Sequence, residues 1–272
     1  MLVYKNTFDN IKTIGFNFPI EDQFYANNTE AIVADGITRD PIGISDFSKC
    51  SGEDFIKNYP RPSGGELAAK VICDTFSKTN GSLVDSLIEC NNSVKILNDK
   101  YVPNCDYLEN DYYGSTAACI SIQNDMLNYA YICDSGVIVY DKEGNIRFKT
   151  DDDKEIYSDP VINNIGIPWY LKEARKIVRS EYRNNPNNKA SYGALTGESN
   201  AIHYIRSGQL KLLNGDIILV YSDGFTNYLT DRDFINHLIN FDKESFEKYI
   251  ETKSNEDYEK YGKEKTLVMY IV

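Results

Sequence analysis

Apolar residues along this chain arrive in two rhythms. Ala31 to Ala34 and, far downstream, Ile217 to Tyr221 are short unbroken apolar runs with β-branched members, the pattern of buried strands. Gln23 to Tyr25 precedes the first run across an Asn-Asn turn, so the two predict a hairpin. In "ELAAKVICDTFSK" the apolar residues Leu67, Ala68, Val71, Ile72 and Phe76 return at the spacing of one helical face. "SLVDSLIECNNSVKILNDKYV" predicts a second amphipathic helix. The stretch "GSTAACISIQNDMLNYAYICDSGVIVYDKEGNIRFKT" alternates β-branched and small residues between the turns "QND", "DSG" and "KEGN", which predicts three or four antiparallel strands. "PWYLKEARKIVRSEYRNN" reads as a helix opening at Pro168. "AIHYIRSGQLKLLNGDIILVYSDG" returns to strands, "DRDFINHLINFDKESFEKYIETK" supplies helices, and "TLVMYIV" closes the chain as a strand. The segment before Phe18 is a polar and apolar mixture without a period.

Strands in hairpin-like series with inserted helical pairs give an α+β class with antiparallel sheets. Neither G-x-G-x-x-G nor a P-loop is present, and no linker-like tract divides the chain, so 1–272 is expected to be a single domain.

Charge narrows the partners. A formal charge of −12 without basic clusters argues against a nucleic-acid surface and suits a cationic partner or a metal. The six cysteines are scattered, with no C-x-x-C pair, so they read as reduced thiols packed like small hydrophobes. "MLVYKNTFDNIK" lacks a signal-peptide core and no apolar stretch reaches the ~20 residues a membrane span needs, so a soluble, cytoplasmic protein without membrane partners is expected.

Candidate chemistry lies where the apolar runs end. "EAIVADGITRD" carries its strand into Asp35 and Gly36, and "DIILVYSDGFTN" carries another into Asp223 and Gly224. A carboxylate at the end of a buried strand is costly unless a cation meets it. Glu21 and Asp22 precede the first hairpin, whose pairing brings Glu21 near Asp35, and Asp134 ends a further strand in "YICDSG". Five acids at strand ends suit a hard divalent cation with oxygen ligands, and two-metal hydrolases set such ions about 3.5–4 Å apart. The plainer alternative is that each acid is an independent turn residue of an acidic surface.

Taken in order, "PIEDQF", "AIVADG", "SGGELAAKVICDTF", "YYGSTAACIS", "AYICDSG" and "GDIILVYSDGF" resemble the metal-dependent protein phosphatases of the type 2C (PPM) family, from Glu21 to Tyr228. The resemblance implies a four-layer α-β-β-α sandwich with two central antiparallel sheets flanked by helices. It implies two Mn²⁺ or Mg²⁺ ions and a metal-bridging water that attacks a phosphoserine or phosphothreonine of a protein substrate directly. Residue by residue, it implies Asp35 as the carboxylate that bridges the metals and, with Asp223, as a catalytic residue. Glu21 and the Gly36 carbonyl would complete one metal, Asp223 would bind the other, and Asp22 would support the ligands. Asp134 would contribute to a third ion, and Asn227 stands where many relatives have an acid for it.

Departures from the pattern matter as much. Relatives carry a phosphate-gripping arginine just before the "ED" pair, and this chain has none between Gly15 and Glu21, leaving Lys12 or Arg39 as candidates. Lys263 stands where relatives place an aspartate before the last strand; a lysine ammonium cannot ligate a cation, so Glu264 is the expected substitute ligand, with Glu256 or Asp257 reaching in from the preceding loop, or a site with one weakened metal, as the alternatives. Ile37 replaces the histidine after "ADG" of eukaryotic members. His203 and His237 neighbour no acid motif and read as structural. "SGGELAAKV" reads as a helix start at Ser63 or Gly64. A third reading, "ADGITRD" as the nucleophile loop of a haloacid-dehalogenase-type phosphatase, is disfavoured because Ile37 stands where that chemistry needs a second aspartate. Two functions remain: an active phosphatase, or a pseudophosphatase that binds a phosphoprotein or partner without turnover.

Overall fold

Alternation along the central strands sorts the chain into layers. The computed structural model describes residues 1–9, 19–40, 54, 57–160, 163, 166–167 and 171–272. Lys12, Cys50 and the expected helix start at Pro168 lie outside them. Strands are numbered in chain order. β1 (Leu2–Phe8), β6 (Gly136–Tyr140), β7 (Ile146–Lys149), β9 (Ile217–Tyr221) and β10 (Lys265–Ile271) form one sheet, in the order β1-β10-β9-β6-β7. β2 (Gln23–Ala26), β3 (Glu30–Gly36), β4 (Ser115–Gln123), β5 (Met126–Ile132) and β8 (Arg206–Lys211) form the other, in the order β2-β3-β4-β5-β8. All their pairings are antiparallel.

Successive side chains of a strand point to opposite faces, and here both faces are dry. Ala31 and Val33 of β3 meet Ile218 and Val220 of β9 and Val268 of β10 between the sheets. Ile32 and Ala34 turn outward onto α1 (Gly64–Phe76) and α2 (Leu83–Tyr101), through Ile72, Phe76, Leu87 and Val94. On the far side, Leu219, Leu267 and Met269 pack against Phe234 and Leu238 of α4 (Arg232–Ile239) and Phe246 and Ile250 of α5 (Lys243–Glu256). Between the two pairs in sequence lies, among other short segments, α3 (Lys172–Ile177), continued in wider π-type turns through Val178–Tyr182. The result is the expected helix, sheet, sheet, helix stack. It also explains why β3 and β9 read as unbroken apolar runs.

Three expectations change. Leu2–Phe8, which shows no clear period, is a strand: it forms the edge of a sheet, half-buried, pairing only with β10. The "DSG" turn does not close a hairpin, because β5 and β6 belong to different sheets and Cys133, at φ +73°, turns the chain between them. Residues 199–204 form a 3₁₀ turn, so the strand resumes only at Arg206 and His203 sits exposed ahead of it. Cys73, Cys90, Cys105, Cys119 and Cys133 are free thiols, and all but Cys105 are buried. Among the described residues, no helix is long and apolar enough to cross a membrane.

One core residue conflicts with its surroundings. Lys265, at the start of β10, is fully buried; its ammonium lies 3.2 Å from Ser254 Oγ and 5.9 Å from the centre of the Tyr228 ring. Burial pushes its pKa down to about 8, against the opposing pull of Asp22 and Glu264. Below pH 8 the ammonium is charged in both states, and the folded state bears the whole desolvation cost. Between about 8 and its ordinary value the unfolded chain holds more protons, so this residue's contribution to stability rises with pH. Lys265→Met is therefore expected to stabilise the metal-free protein by about 3 kcal/mol at pH 7, with the gain over wild type shrinking toward pH 10. Urea unfolding of both proteins at pH 7 and pH 9.5 checks it, and a gain independent of pH would refute this origin.

Candidate functional site

Register decides which acids meet. Gln23 pairs with Ala34 in the β2–β3 hairpin, so one step outward Asp22 faces Asp35 and Glu21 faces Gly36. Opposed residues share a face of the sheet, and Asp35 has the parity of Val33, the side between the sheets. Oxygens of Asp22, Asp35 and Glu264 accordingly all lie within 4.8 Å of one another. The hairpin was expected to bring Glu21 to Asp35; the carboxylate it brings is that of Asp22.

Glu21, beside this cluster, points into a buried nest of hydroxyls. Tyr59 Oη donates to its Oε1 at 2.6 Å, Thr38 Oγ1 to its Oε2 at 2.7 Å, and Ser63 Oγ also bonds Oε1. Burial pushes the Glu21 pKa up, against the lowering effect of those three donors. Ser63 is also the N-cap of α1, closing a capping box with Glu66. "SGG" thus begins the helix as expected, but it also shapes the site. A side chain on Gly36 would meet the Gly65 carbonyl carbon at 2.6 Å, and one on Gly65 would meet Glu21 Oε1 at 2.7 Å. The glycines let the end of β3 and the start of α1 close around Glu21.

Glu264 acts as a clamp. Its Oε1 accepts the backbone N–H groups of Glu21 and Asp22 at 2.9 and 2.7 Å, and its Oε2 lies 3.0 Å from the first. This ties the loop before β10 to the segment before β2. Ser222, just ahead of Asp223, donates to Asp22 Oδ2 at 2.6 Å and accepts from the N–H of Thr266. A side chain on Gly224 would come within 2.0 Å of the Glu264 carbonyl oxygen, so the two loops touch backbone to backbone.

Like charges dominate the centre. Burial, then Asp22, Asp223, Asp134 and Glu264, push the Asp35 pKa well above the carboxylate range. Burial and Asp22 do the same to Glu264, and burial raises Asp22 to about 6. Asp22 Oδ1 and Asp134 Oδ1 are buried with no hydrogen-bond partner. Crowded carboxylates with unsatisfied oxygens fit a hard divalent cation.

On the other side, lysines supply the positive charge. Lys263 Nζ lies 2.9 Å from Asp223 Oδ2, and Lys154 Nζ lies 3.5 Å from Asp134 Oδ2. Burial alone would raise the Asp223 pKa, but Lys263 and Lys154 outweigh it and hold Asp223 below its ordinary value. The acids therefore divide: Asp22, Asp35 and Glu264 want a cation, while Asp223 and Asp134 already face ammonium groups.

All of this opens into a cavity of about 570 Å³, walled by Glu21, Asp35, Gly36, Asp134, Asp223 and Glu264 together with Lys154 and Lys263. Asn227 is not part of the wall. It is exposed and donates to the Lys260 carbonyl at 2.8 Å, so its expected supporting place beside a third ion has no counterpart here. Arg39 is also directed elsewhere: it bonds the Asp111 carbonyl at 3.0 and 2.7 Å and lies over Tyr113. His237 stacks against Tyr249, and neither His237 nor His203 lines the cavity.

Comparison with solved structures matches the architecture over nearly the whole chain. The Mycobacterium tuberculosis serine/threonine phosphatase PstP/Ppp aligns over 98% of this chain and 96% of its own, with a TM-score of 0.59 and 18% identity. The fold is that of the PPM-type serine/threonine phosphatases. The catalytic domain of PstP in complex with 2 manganese ions gives a TM-score of 0.62 at 17% identity, covering 99% and 97%. The Mycobacterium smegmatis PPM phosphatase MsPP in complex with cacodylate gives 0.59 at 15%, covering 98% and 96%. No family model matches the sequence, and no curated protein matches it significantly. With the PPM fold in view, Ser222, Thr38, Tyr59 and Lys154 are site residues that sequence reasoning missed. Ser222 carried a signal, its place just before a strand-end acid; Tyr59, and Lys154 at the start of a short π-type helical segment (Lys154–Ser158), carried none.

Proposed function

We propose that this chain is a divalent-metal-dependent phosphatase acting on phosphoserine or phosphothreonine in a protein. The observation that carries this reading is the cluster of Asp22, Asp35 and Glu264, three carboxylates within 4.8 Å at the mouth of a PPM-type sandwich. Asp35 and Glu264 would hold the cation, with Glu21, the Gly36 carbonyl and Asp22 around it, and Asp223 and Asp134 would hold further ions once their lysines withdraw. Mn²⁺ or Mg²⁺ bound there would supply a nucleophile near neutral pH and positive charge against the phosphate. The chain's own contribution is positional. Hydroxyls fix Glu21, Glu264 fixes the backbone of the "ED" pair, and Ser222 fixes Asp22, so the carboxylates are held in place before any ligand arrives.

The Lys263–Asp223 ion pair favours a second reading, a phosphoprotein-binding module without turnover. Hydrolysis of para-nitrophenyl phosphate and a phosphothreonine peptide in Mn²⁺, Mg²⁺ or EDTA separates the two. Turnover in Mn²⁺ that EDTA lowers by roughly 10²-fold or more is expected; a folded protein inert with either metal would leave only the binding module.

A further inference from the structure

The cavity has a cationic wall that neither the fold nor the sequence motifs account for. Arg175 on α3, Arg179 on its continuation and Arg183 just past the end of that continuation follow at four-residue intervals, and all three line the same cavity as Asp35 and Asp223. Asp40 and Asp111 are acidic partners of this ladder among the described residues. Arg175 pairs with Asp40 at 2.5 Å, Arg179 with Asp40 at 2.7 Å and with Asp111 at 3.5 Å, and Arg183 with Asp111. Nε and Nη1 of Arg179 and Nε of Arg183 are buried without hydrogen-bond partners.

A purely structural strut would have its donors satisfied, because a buried N–H left without an acceptor is costly. Guanidinium planes match phosphate oxygens in charge and in bidentate geometry. Position agrees. Arg175 donates to the Thr38 carbonyl, only three residues beyond Asp35 and so at most about 11 Å of chain away. It is also the least buried of the three, with 15% of its side chain exposed against 2% for Arg179. The segment before Glu21 has no arginine after Gly15, and Arg39 is not among the residues that line the cavity.

We propose that the Arg175, Arg179 and Arg183 ladder is the phosphate-recognition wall of this cavity, with Arg175 the side chain that meets the phosphomonoester. This rests on the phosphatase reading for its substrate but not for its test. Calorimetry on the full chain in Mn²⁺ measures binding of inorganic phosphate, and of a phosphothreonine peptide beside its unphosphorylated twin. Arg175→Gln is expected to weaken phosphate and phosphopeptide binding roughly tenfold or more. Mn²⁺ affinity should stay unchanged, and Arg175→Lys, which keeps the charge but not the bidentate fork, should recover only part of the loss. In turnover, KM should rise more than kcat falls. Equal phosphate binding by wild type and Arg175→Gln overturns the proposal, as does a wild type that binds no phosphate. Equal loss in the Gln and Lys variants also overturns it, since that marks a strut. If no protein turns over but phosphate binding still depends on Arg175, the ladder stands and the phosphatase reading falls.

Discussion

Asp35→Asn is expected to lower metal-dependent turnover by roughly 10³-fold or more while making the metal-free protein more stable. The two effects share one cause. Asp35 ends β3 on the face between the sheets, lines the cavity beside Asp223, and shares its 4.8 Å neighbourhood with Asp22 and Glu264. Burial and those neighbours push its pKa well above the usual range, so ionising it without a cation works against folding. Asparagine keeps the shape and removes the charge. It relieves the repulsion, and it removes the ligand best placed to share a cation with both Asp22 and Asp223. Calorimetric Mn²⁺ titration and thermal melts in EDTA give the two readouts, with loss of Mn²⁺ affinity and a rise in melting temperature expected together. A variant that keeps turnover within tenfold of wild type would remove Asp35 from the centre of the site. One that loses both affinity and EDTA stability would mean that the side chain is structural.

The pH dependence of stability follows the same logic. A carboxyl whose folded pKa is raised holds its proton in the folded state over a range where the unfolded chain has released it. It therefore contributes stability at low pH that is lost as pH rises through the folded pKa. Asp22, raised to about 6, places its share of that loss between its ordinary value and pH 6. Asp223, held low by Lys263 and Lys154, works in the opposite direction. Cation binding should offset the losses at Asp22, Asp35 and Glu264, so the stabilisation by Mn²⁺ is expected to grow from pH 5 to pH 8.

The sequence made the central sheets legible because β3 and β9 are buried on both faces, and uninterrupted Ala, Ile, Leu and Val leave little else to read. It hid β1, because an edge strand pairs on one side only and its alternation is correspondingly weak. The site was legible where chemistry coincides with a strand end, as at Asp35, Asp134 and Asp223. It was obscure where geometry depends on register: one step along the hairpin exchanges Asp22 for Glu21, and no composition encodes that step. Lys154, Tyr59 and the arginine ladder come from loops and helical segments whose positions only tertiary packing sets. Lys263 was visible as a departure, but its ion pair with Asp223 was not.

That ion pair sets the other large effect. Lys263 lies 2.9 Å from Asp223, with just over half of its side chain exposed (56%), so it can leave the acid at modest cost when a cation arrives. Until then the ammonium stands in for the metal, and removing it must act in opposite directions with and without the ion. In EDTA, Lys263→Ala leaves Asp223 beside Asp35 with Lys154 as its remaining cation, so the melting temperature should fall. In Mn²⁺ the same change removes a competitor and a like charge, so affinity should rise about tenfold, worth about 1.4 kcal/mol. Lys263→Asp goes further, since it adds a carboxylate where relatives place one, and should exceed the alanine variant in Mn²⁺ affinity while being less stable in EDTA. Solvent screening keeps the alanine effect near the low end of what contact at this distance allows. Mn²⁺ titration of the three proteins, with melts in EDTA and in saturating Mn²⁺, resolves it. Equal Mn²⁺ affinity in all three would mean that Asp223 takes no part in holding the ion, and the site would reduce to Asp22, Asp35 and Glu264.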